Sequence, residues 1–325
     1  MPRSSDAKLS VVVPCFNEQE VLRETHRRLT TQLGRLRLDY EIVYVDDGSR
    51  DRTTAILREL QSADARVVVV RFSRNFGHQI AATAGLDYAT GDAVVLIDAD
   101  LQDPPEIIAE FVDRWRGGYD VAYGRRNERE GETAFKRVSA SLFYRLLQRL
   151  TPIEIPPDTG DFRLMDRRVV DALRQMPEQD RFLRGMVSWV GFRQTAVPYR
   201  REARFAGVSK YPLRRMLRLA FDAVIAFSPL PPRLASFAGL ASLACGTLAL
   251  AIVAVLAVGR GSAPSAGWLA LVAVLLLGGG QLLAIGLLGE YAARIYRQVQ
   301  GRPLYVVSET AGVAASTSGT VERAA

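Results

Sequence analysis

Cysteine and histidine are the residue types that this 325-residue sequence has least of, with two of each. Cys15 lies near the start and Cys245 inside an apolar run, which excludes a disulfide-stapled secreted domain. His26 and His78 are far apart, so no Cys/His cluster indicates a zinc site. A secretory signal is also missing, because the first apolar run, 9–13, is too short. We therefore expect the N-terminal part to stay in the cytoplasm.

Charge is missing from two long windows near the C terminus. Residues 234–259 and 261–289 contain no charged side chain, and Arg260 alone separates them. Each window exceeds the roughly 20 apolar residues that cross a bilayer, so the pattern predicts two transmembrane helices. Arginines flank the pair on both outer sides, which places both termini in the cytoplasm by the positive-inside rule. The alternative is a pair of helices buried in a large soluble core.

Acidic residues are nearly absent from 193–218, where eight arginines and lysines face Glu202 alone. This stretch accounts for the whole net charge of +7. It leads into residues 213–228, an amphipathic stretch that we expect to lie in the membrane interface. A second basic amphipathic stretch, 134–150, is typical of an ordinary helix with a solvated face. Because the surplus adjoins a predicted span and no nucleic-acid motif occurs, the pI of about 9.6 does not indicate nucleic-acid binding.

Apolar, β-branched runs alternate with helical stretches over residues 9–124. The predicted strands are 9–13, 41–45, 67–72, 93–97 and 121–123, and the predicted helices are 19–34, 51–63, 78–89 and 105–117. Nearly continuous Val and Ile runs are typical of parallel strands that helices cover on both faces. Ligands of such sheets bind beyond the carboxyl ends of the strands, so we expect function in the polar segments that follow them.

One such segment carries Asp98, Asp100 and Gln102. They alternate at the end of a predicted apolar strand, whose two-residue period puts all three side chains on one side, and three oxygens there suit Mg²⁺ or Mn²⁺ shared with a nucleotide diphosphate. Asp103, followed by two prolines, is typical of a helix cap instead. Capping remains the alternative for the upstream residues as well.

Two neighbouring carboxylates, Asp46 and Asp47, precede Gly48 at the end of the second predicted strand. Asp51 supplies a cap for the next helix, which leaves Asp47 for a ligand's base or ribose or for a plain turn. His78 has no partner visible in the sequence, and we predict that it only packs or forms a hydrogen bond.

Five motifs in order resemble the polyprenyl-phosphate glycosyltransferases, inverting family 2 enzymes of the GT-A type. The motifs are VVVPCFNE (11–18), DDGS (46–49), SRNFG (73–77), DADLQDPPE (98–106) and TGDFRLM (159–165). With the two apolar windows, the resemblance covers about 9–309 and is strongest to bactoprenol (undecaprenyl-phosphate) glucosyltransferases, with dolichyl-phosphate mannose synthases more distant. Processive polysaccharide synthases of the same superfamily carry a Gln-x-x-Arg-Trp segment, which is absent here.

The resemblance implies a role for each matching position. Nucleotide-sugar binding falls to Pro14, Asn17, Glu18, Asp47, Asp98, Arg204 and Lys210, with 204–210 as a mobile loop. The metal ligands are Asp98, Asp100 and Gln102, holding Mg²⁺ or Mn²⁺, and the lipid-phosphate residues are Arg125, Arg137 and Ser141. The catalytic residues are Asp161 and Asp100. For Asp161, pairing with Arg163 or Arg167 is the structural alternative.

The sequence thus predicts an α/β fold: a GT-A (Rossmann-like), mostly parallel sheet domain, then interfacial amphipathic helices and two transmembrane helices. The expected parts are a cytoplasmic catalytic domain (1–205), a mobile loop and interfacial helix (206–232), the two spans (233–290) and a cytoplasmic tail (291–325), of which 311–325 is expected to be disordered. We expect a multi-pass protein of the inner (plasma) membrane, and the resemblance suggests a homotetramer.

The predicted reaction is metal-dependent, inverting transfer of one hexose, by default glucose from UDP-glucose, to undecaprenyl phosphate. The partners are the donor, the polyprenyl phosphate and the bilayer. The alternatives are a processive polysaccharide synthase, a transferase to another membrane acceptor, and a non-catalytic membrane scaffold.

Overall fold

The computed structural model describes residues 7–126, 159–200, 248 and 266–312. These residues fall into two compact units. The first, which we call the sheet unit, contains 7–126, 159–200 and 302–312, and the second contains 248 and 266–301. Several predicted features lie outside the described residues: the helix over 134–150, the interfacial helix over 213–228 and the first apolar window.

The sheet unit is built on one mixed, mostly parallel sheet. Its strands are β1 (Lys8–Cys15), β2 (Asp39–Asp46), β3 (Val67–Phe72), β4 (Ala93–Leu96), β5 (Val121–Arg126), β6 (Thr159–Asp166), β7 (Gln194–Tyr199) and β8 (Val307–Ala311). Their order across the sheet is β7-β5-β6-β4-β1-β2-β3-β8. The strands β4, β1, β2 and β3 run parallel to one another, while β6 is antiparallel to both neighbours and β8 is antiparallel to β3.

Helices connect and cover these strands. They are α1 (Leu22–Arg35), α2 (Thr53–Ala63), α3 (His78–Tyr88), α4 (Ile108–Arg116), α5 (Arg167–Gln175) and α6 (Leu183–Trp189), with a short 3₁₀ turn at Pro105–Ile107. The packing between α3 and β1 is especially close, because a Cβ at Gly85 would lie 2.1 Å from Val12 Cγ1. Glycine at this position therefore lets α3 lie against the central strand and sets where the helix begins relative to the strand ends.

All five predicted strands are present as β1 to β5, and their Val and Ile side chains form the core. The prediction fails further along the chain. The sequence pattern predicts no strand over 159–166 or 194–199, which form β6 and β7, and it predicts a tail after 291, whereas residues 307–311 form β8 at the edge of the sheet. Short edge strands such as β8 have little periodicity of their own and depend on the neighbour with which they pair.

The second unit contains the helix α7 (Ala266–Gln300), which continues past the end of the second apolar window. Among the residues that the structure describes, no helix is both long enough and apolar enough to cross a membrane.

Candidate active site

The polar segments after β1, β2 and β4 meet at one edge of the sheet, because these three strands are parallel neighbours. The segments after β1 and β2 are joined by their own side chains. Asn17, with a left-handed φ of 54°, donates its N–H to Ser49 Oγ (2.9 Å) and accepts at Oδ1 from the Arg50 N–H (2.9 Å). The Glu18 N–H donates to Thr53 Oγ1 at 2.8 Å. Asn17 and Glu18, both predicted donor-binding residues, thus hold the two loops in one arrangement.

Asp46 and Asp47 have different roles in the structure. Asp46 is fully buried and accepts from the Ser49 N–H (2.9 Å) and the Thr54 hydroxyl (2.6 Å), so it shapes the turn. Asp47 reaches across to the loop after β3, where its two oxygens accept from the N–H groups of Phe76 (2.6 Å) and Gly77 (3.0 Å). Burial raises the pKa of Asp47 to about 6, against the lowering effect of these two bonds.

The loop over residues 73–77, which we call the β3 loop, is thereby attached to the end of β2. Gly48 makes this contact possible. It has a φ of +68°, and a Cβ there would lie 2.5 Å from the Arg74 carbonyl carbon and 2.8 Å from the Asn75 nitrogen. Both neighbouring atoms are backbone, so they cannot move aside as a flexible side chain would. Glycine at position 48 is therefore required by the geometry as well as by the turn.

The segment after β4 does not continue as a strand, and the predicted alternation of Asp98, Asp100 and Gln102 on one face is wrong. β4 ends at Leu96, and Leu101 adopts a left-handed φ of 58°. Asp100 Oδ1 accepts from the Gln102 N–H at 3.1 Å, as in a tight turn. A two-residue period holds only for extended backbone, and this segment turns instead.

The residue that flanks the start of the 3₁₀ turn is Pro104, one position after the predicted cap Asp103. The buried Asp103 carboxylate instead accepts from the Tyr199 hydroxyl on β7. The structural role assigned to Asp103 therefore holds, but through a long-range bond. Asp51 behaves much as predicted, since its Oδ1 accepts from the Thr53 N–H (2.9 Å) at the start of α2.

The segment after β4 carries carboxylate and amide oxygens, the ligands that a divalent cation such as Mg²⁺ prefers. Among the residues the structure describes, no group of three or more His, Cys, Asp or Glu side chains is arranged to hold a metal by itself. Burial, together with the carboxylates of Asp103, Asp100 and Asp161, raises the pKa of Asp98 to about 6 against the effect of His78. A cation would relieve that repulsion. The residues thus fit a Mg²⁺ or Mn²⁺ ion that takes one or two carboxylates and shares its other positions with substrate phosphates.

Asp161 lies on β6, beside the end of β4, in a closed network of polar side chains. Its Oδ1 accepts from Arg184 Nε on α6 (2.8 Å) and its Oδ2 from Gln79 Nε2 on α3 (2.9 Å). Gln79 Oε1 in turn accepts from the Leu183 N–H at 2.9 Å. Burial opposes ionisation of Asp161, but Arg184 and the adjacent His78 hold its pKa well below the usual range. The side chain is therefore a fixed, buried carboxylate.

The structural alternative for Asp161, pairing with Arg163 or Arg167, is wrong in its choice of partners. Arg163 turns back to its own strand and donates to the Gly160 carbonyl at 3.0 Å. Arg167 donates to the carbonyl groups of Ala89 and Gly91, beyond the end of α3. The arginine that binds Asp161 is Arg184.

His78 has more contacts than the sequence indicates. Its Nε2 lies 3.5 Å from Asp98 Oδ1 and 3.5 Å from Asp161 Oδ2, so it connects the segment after β4 with β6. Burial disfavours the charged ring, but the Asp98 and Asp161 carboxylates outweigh it and raise the pKa of His78 to about 9. The prediction that His78 packs or forms a hydrogen bond therefore holds, but its partners Asp98 and Asp161 are not visible in the sequence.

The remaining predicted residues lie elsewhere. Pro14 pairs with Val45 within the sheet, and Arg125 lies exposed near the end of β5. Arg137, Ser141, Arg204 and Lys210 lie outside the described residues. Two side chains that bind Asp161, Gln79 and Arg184, are not predicted from the sequence. Gln79 lies two residues after the SRNFG motif (73–77), which could have drawn attention to it. No local pattern distinguishes Arg184 from the other arginines.

The family model for Glycosyl transferase family 2 matches residues 10–174. An uncharacterized glycosyltransferase of Bacillus subtilis (YkcC) is 50% identical over 311 residues, which are 95% of this chain and 96% of the relative. The SfII prophage-derived bactoprenol glucosyl transferase of Shigella flexneri is 39% identical over 306 residues, 93% of this chain and 98% of that protein. Among solved structures, glucosyl-3-phosphoglycerate synthase from Mycobacterium tuberculosis with Mn²⁺, UDP-glucose and phosphoglyceric acid matches at 21% identity and a TM-score of 0.45, covering 67% of this chain and 77% of that one.

Proposed function

Because this chain belongs to glycosyl transferase family 2, we propose that it transfers a single hexose from a nucleotide sugar to a polyprenyl phosphate. The chain is a glycosyltransferase with the GT-A α/β fold and a mostly parallel sheet, as its motifs predict. The observation that carries the finer proposal is the meeting of Asp98, His78 and Asp161, which joins the segment after β4 to β6. The bactoprenol glucosyl transferase relative, matched over 93% of this chain, supports a lipid phosphate as acceptor and glucose as the sugar.

The donor in this proposal is UDP-glucose, with other nucleotide sugars as alternatives. The interlocked loops after β1 and β2 form the nucleoside side of the site, with Pro14, Asn17, Glu18 and Asp47 as its residues. We assign Asp98, Asp100 and Gln102 to the diphosphate side, where they would hold Mg²⁺ or Mn²⁺. When bound, such an ion neutralises the charge that develops on the leaving diphosphate.

Asp161 is suited to orienting a group more than to removing a proton. Arg184 and Gln79 occupy its two oxygens, and Arg184 and His78 hold its pKa well below the usual range, whereas a general base works best with a pKa near the working pH. A lipid monophosphate is already an anion and does not need deprotonation before it attacks. We therefore assign Asp161 a positioning role: its buried carboxylate holds Arg184, Gln79 and His78 in place on the acceptor side of the site.

The membrane side of the proposal comes from the sequence. Two spans within 233–290, the basic stretch over 193–218 and the predicted lipid-phosphate residues Arg125, Arg137 and Ser141 together suit an acceptor whose phosphate lies at the cytoplasmic face of the inner membrane. Arg204 and Lys210 are proposed to close on the donor. A homotetramer remains a prediction.

Transfer of label into lipid tests the proposal. Membranes containing the full chain are incubated with undecaprenyl phosphate and labelled UDP-glucose, other UDP-sugars or GDP-mannose, with and without Mg²⁺ or Mn²⁺. We expect metal-dependent label in a single-sugar lipid, lost in Asp100→Ala and retained in Glu309→Gln, a matched acidic change outside the site. Long products would indicate a processive synthase, and membrane binding without label from any donor would indicate a scaffold.

A further inference from the structure

The segment from Arg302 to Gly312 lies against the edge of the sheet unit. Its strand β8 pairs antiparallel with β3, with Val70 opposite Thr310 and Arg71 opposite Glu309. Just before β8, the Val306 carbonyl accepts from the Ser73 N–H at 2.9 Å. Ser73 is the first residue of the β3 loop. The C-terminal segment thus contacts the β3 loop at the point where the loop leaves the sheet.

Within this segment, Tyr305 makes two contacts, one with the end of β3 and one near the end of α3. Its ring stacks on Phe72 with 5.0 Å between centroids and 19° between planes, and Phe72 meets the Phe76 ring edge-on at 5.5 Å. Its hydroxyl donates to Asp87 Oδ2, near the end of α3, at 2.9 Å. Burial and the neighbouring Asp87 raise the pKa of Tyr305, so the hydroxyl keeps its proton and remains a donor.

The two contacts lie at the two ends of one continuous stretch of the chain, the β3 loop followed by α3. Phe72 ends β3 and leads into the β3 loop, whose N–H groups at Phe76 and Gly77 donate to Asp47. Gly77 precedes α3, and α3 begins with His78 and Gln79, which contact Asp161. Asp87 lies one residue before the last residue of that helix. A single side chain from the C-terminal segment therefore holds both ends of the loop and helix that supply the site.

We propose that Tyr305 is a positioning residue for the active site: it fixes the β3 loop and α3, and through them Asp47 and His78. In its effect on donor binding this inference rests on the proposed function. The Tyr305 ring stacks on the buried Phe72, whose ring packs against Phe76. This contact restrains the loop in the conformation in which the Phe76 N–H reaches Asp47. Without the ring, the loop can open locally while the sheet remains folded.

Three variants of the full chain test the proposal. Tyr305→Leu removes the ring and the hydroxyl, and Tyr305→Phe removes the hydroxyl but keeps the ring. Glu309→Gln weakens the exposed ion pair with Arg58 in the same segment and serves as the matched control, because neither residue contacts the β3 loop in the hydrogen bonds and ion pairs of the described residues. Hydrogen exchange is measured without ligand, so that this result does not depend on the identity of the donor. Transfer kinetics are measured in parallel.

In Tyr305→Leu we expect exchange at the Phe76 and Gly77 amides to rise about tenfold and the KM for the donor to rise by a similar factor, with kcat within about twofold. In Tyr305→Phe, exchange should rise only in the last turn of α3, and the KM should stay near that of the wild type. Glu309→Gln should change neither. Unchanged exchange in Tyr305→Leu, or an equal rise in β1 and α1, would overturn the positioning role. If no donor binds even the wild type, the proposed function fails while the exchange result still decides this inference.

Discussion

Replacing Gly48 by alanine tests whether the turn after β2 really needs glycine. The residue has a φ of +68°, in the left-handed region, which costs an L-residue about 1–2 kcal/mol. The added Cβ would also lie 2.5 Å from the Arg74 carbonyl carbon, 2.8 Å from the Asn75 nitrogen and 2.9 Å from Arg74 Cα. Relieving such overlap by backbone shifts costs about 1–3 kcal/mol.

Alanine also restricts the unfolded chain, which offsets about 0.4–1 kcal/mol of that cost. We therefore expect Gly48→Ala to lower the free energy of unfolding by about 1–4.5 kcal/mol, and the Tm by about 2–18 °C for a unit of this size. Because the β3 loop must move away, its bonds to Asp47 should lengthen as well. Donor affinity should then fall together with stability.

Gly34→Ala is the matched control. Gly34 is exposed near the end of α1, its φ is not positive, and a Cβ there would meet nothing within 4 Å. Alanine is favoured over glycine in a helix, so this variant should be more stable by up to about 1 kcal/mol. Thermal unfolding of the purified full-length proteins, followed by circular dichroism, compares the two. A Tm for Gly48→Ala equal to or above that of the wild type would refute the reasoning.

Three further changes have defined outcomes. Arg184→Ala should lower kcat about 10- to 100-fold with little change in donor KM, because Asp161 loses the bond that orients it; Arg184→Lys should recover part of the activity, and equal kcat values would contradict the role. Glu41→Gln should cost about 2–3 kcal/mol at pH 7, since the buried carboxylate accepts from Lys8 and Ser10. Burial opposes ionisation, yet these bonds lower the pKa of Glu41 below 4.5. The stabilisation by the carboxylate is therefore present above pH 4.5 and is lost as the pH falls through the folded-state pKa. Chemical denaturation at pH 7 and below about pH 4 should show the difference in unfolding free energy between the wild type and Glu41→Gln shrink at the lower pH, and a constant difference would contradict this account. Removing divalent cations with EDTA should abolish transfer, and Mn²⁺ or Mg²⁺ should restore it, whereas full activity in EDTA would exclude the proposed metal dependence.

The strands that the sequence predicts well are buried strands with nearly continuous apolar runs, such as β1 and β2, because helices cover the sheet on either side and such runs are visible without a structure. β6 is equally buried, but Asp161, Arg163 and Asp166 interrupt its apolar pattern, and the sequence does not predict it. β7 and β8 are edge strands with mixed composition, and their pairing partners are distant in sequence. That is why residues near the C terminus resemble a tail in the sequence but complete the sheet in the structure.

The sequence by itself determined the family, the first five strands along the chain with the helices between them, and the strand ends where polar residues collect, because hydrophobic periodicity and short motifs are local properties of the chain. Only the tertiary structure decided which side chains meet. Asp161 binds Gln79, 82 residues away, and Arg184, 23 residues away, because β6 enters the sheet beside β4 and α6 packs over it. Residues after 300 likewise reach the β3 loop only because β8 pairs with β3. Contacts of this kind depend on strand order and packing across the sheet, which no local pattern in the chain records.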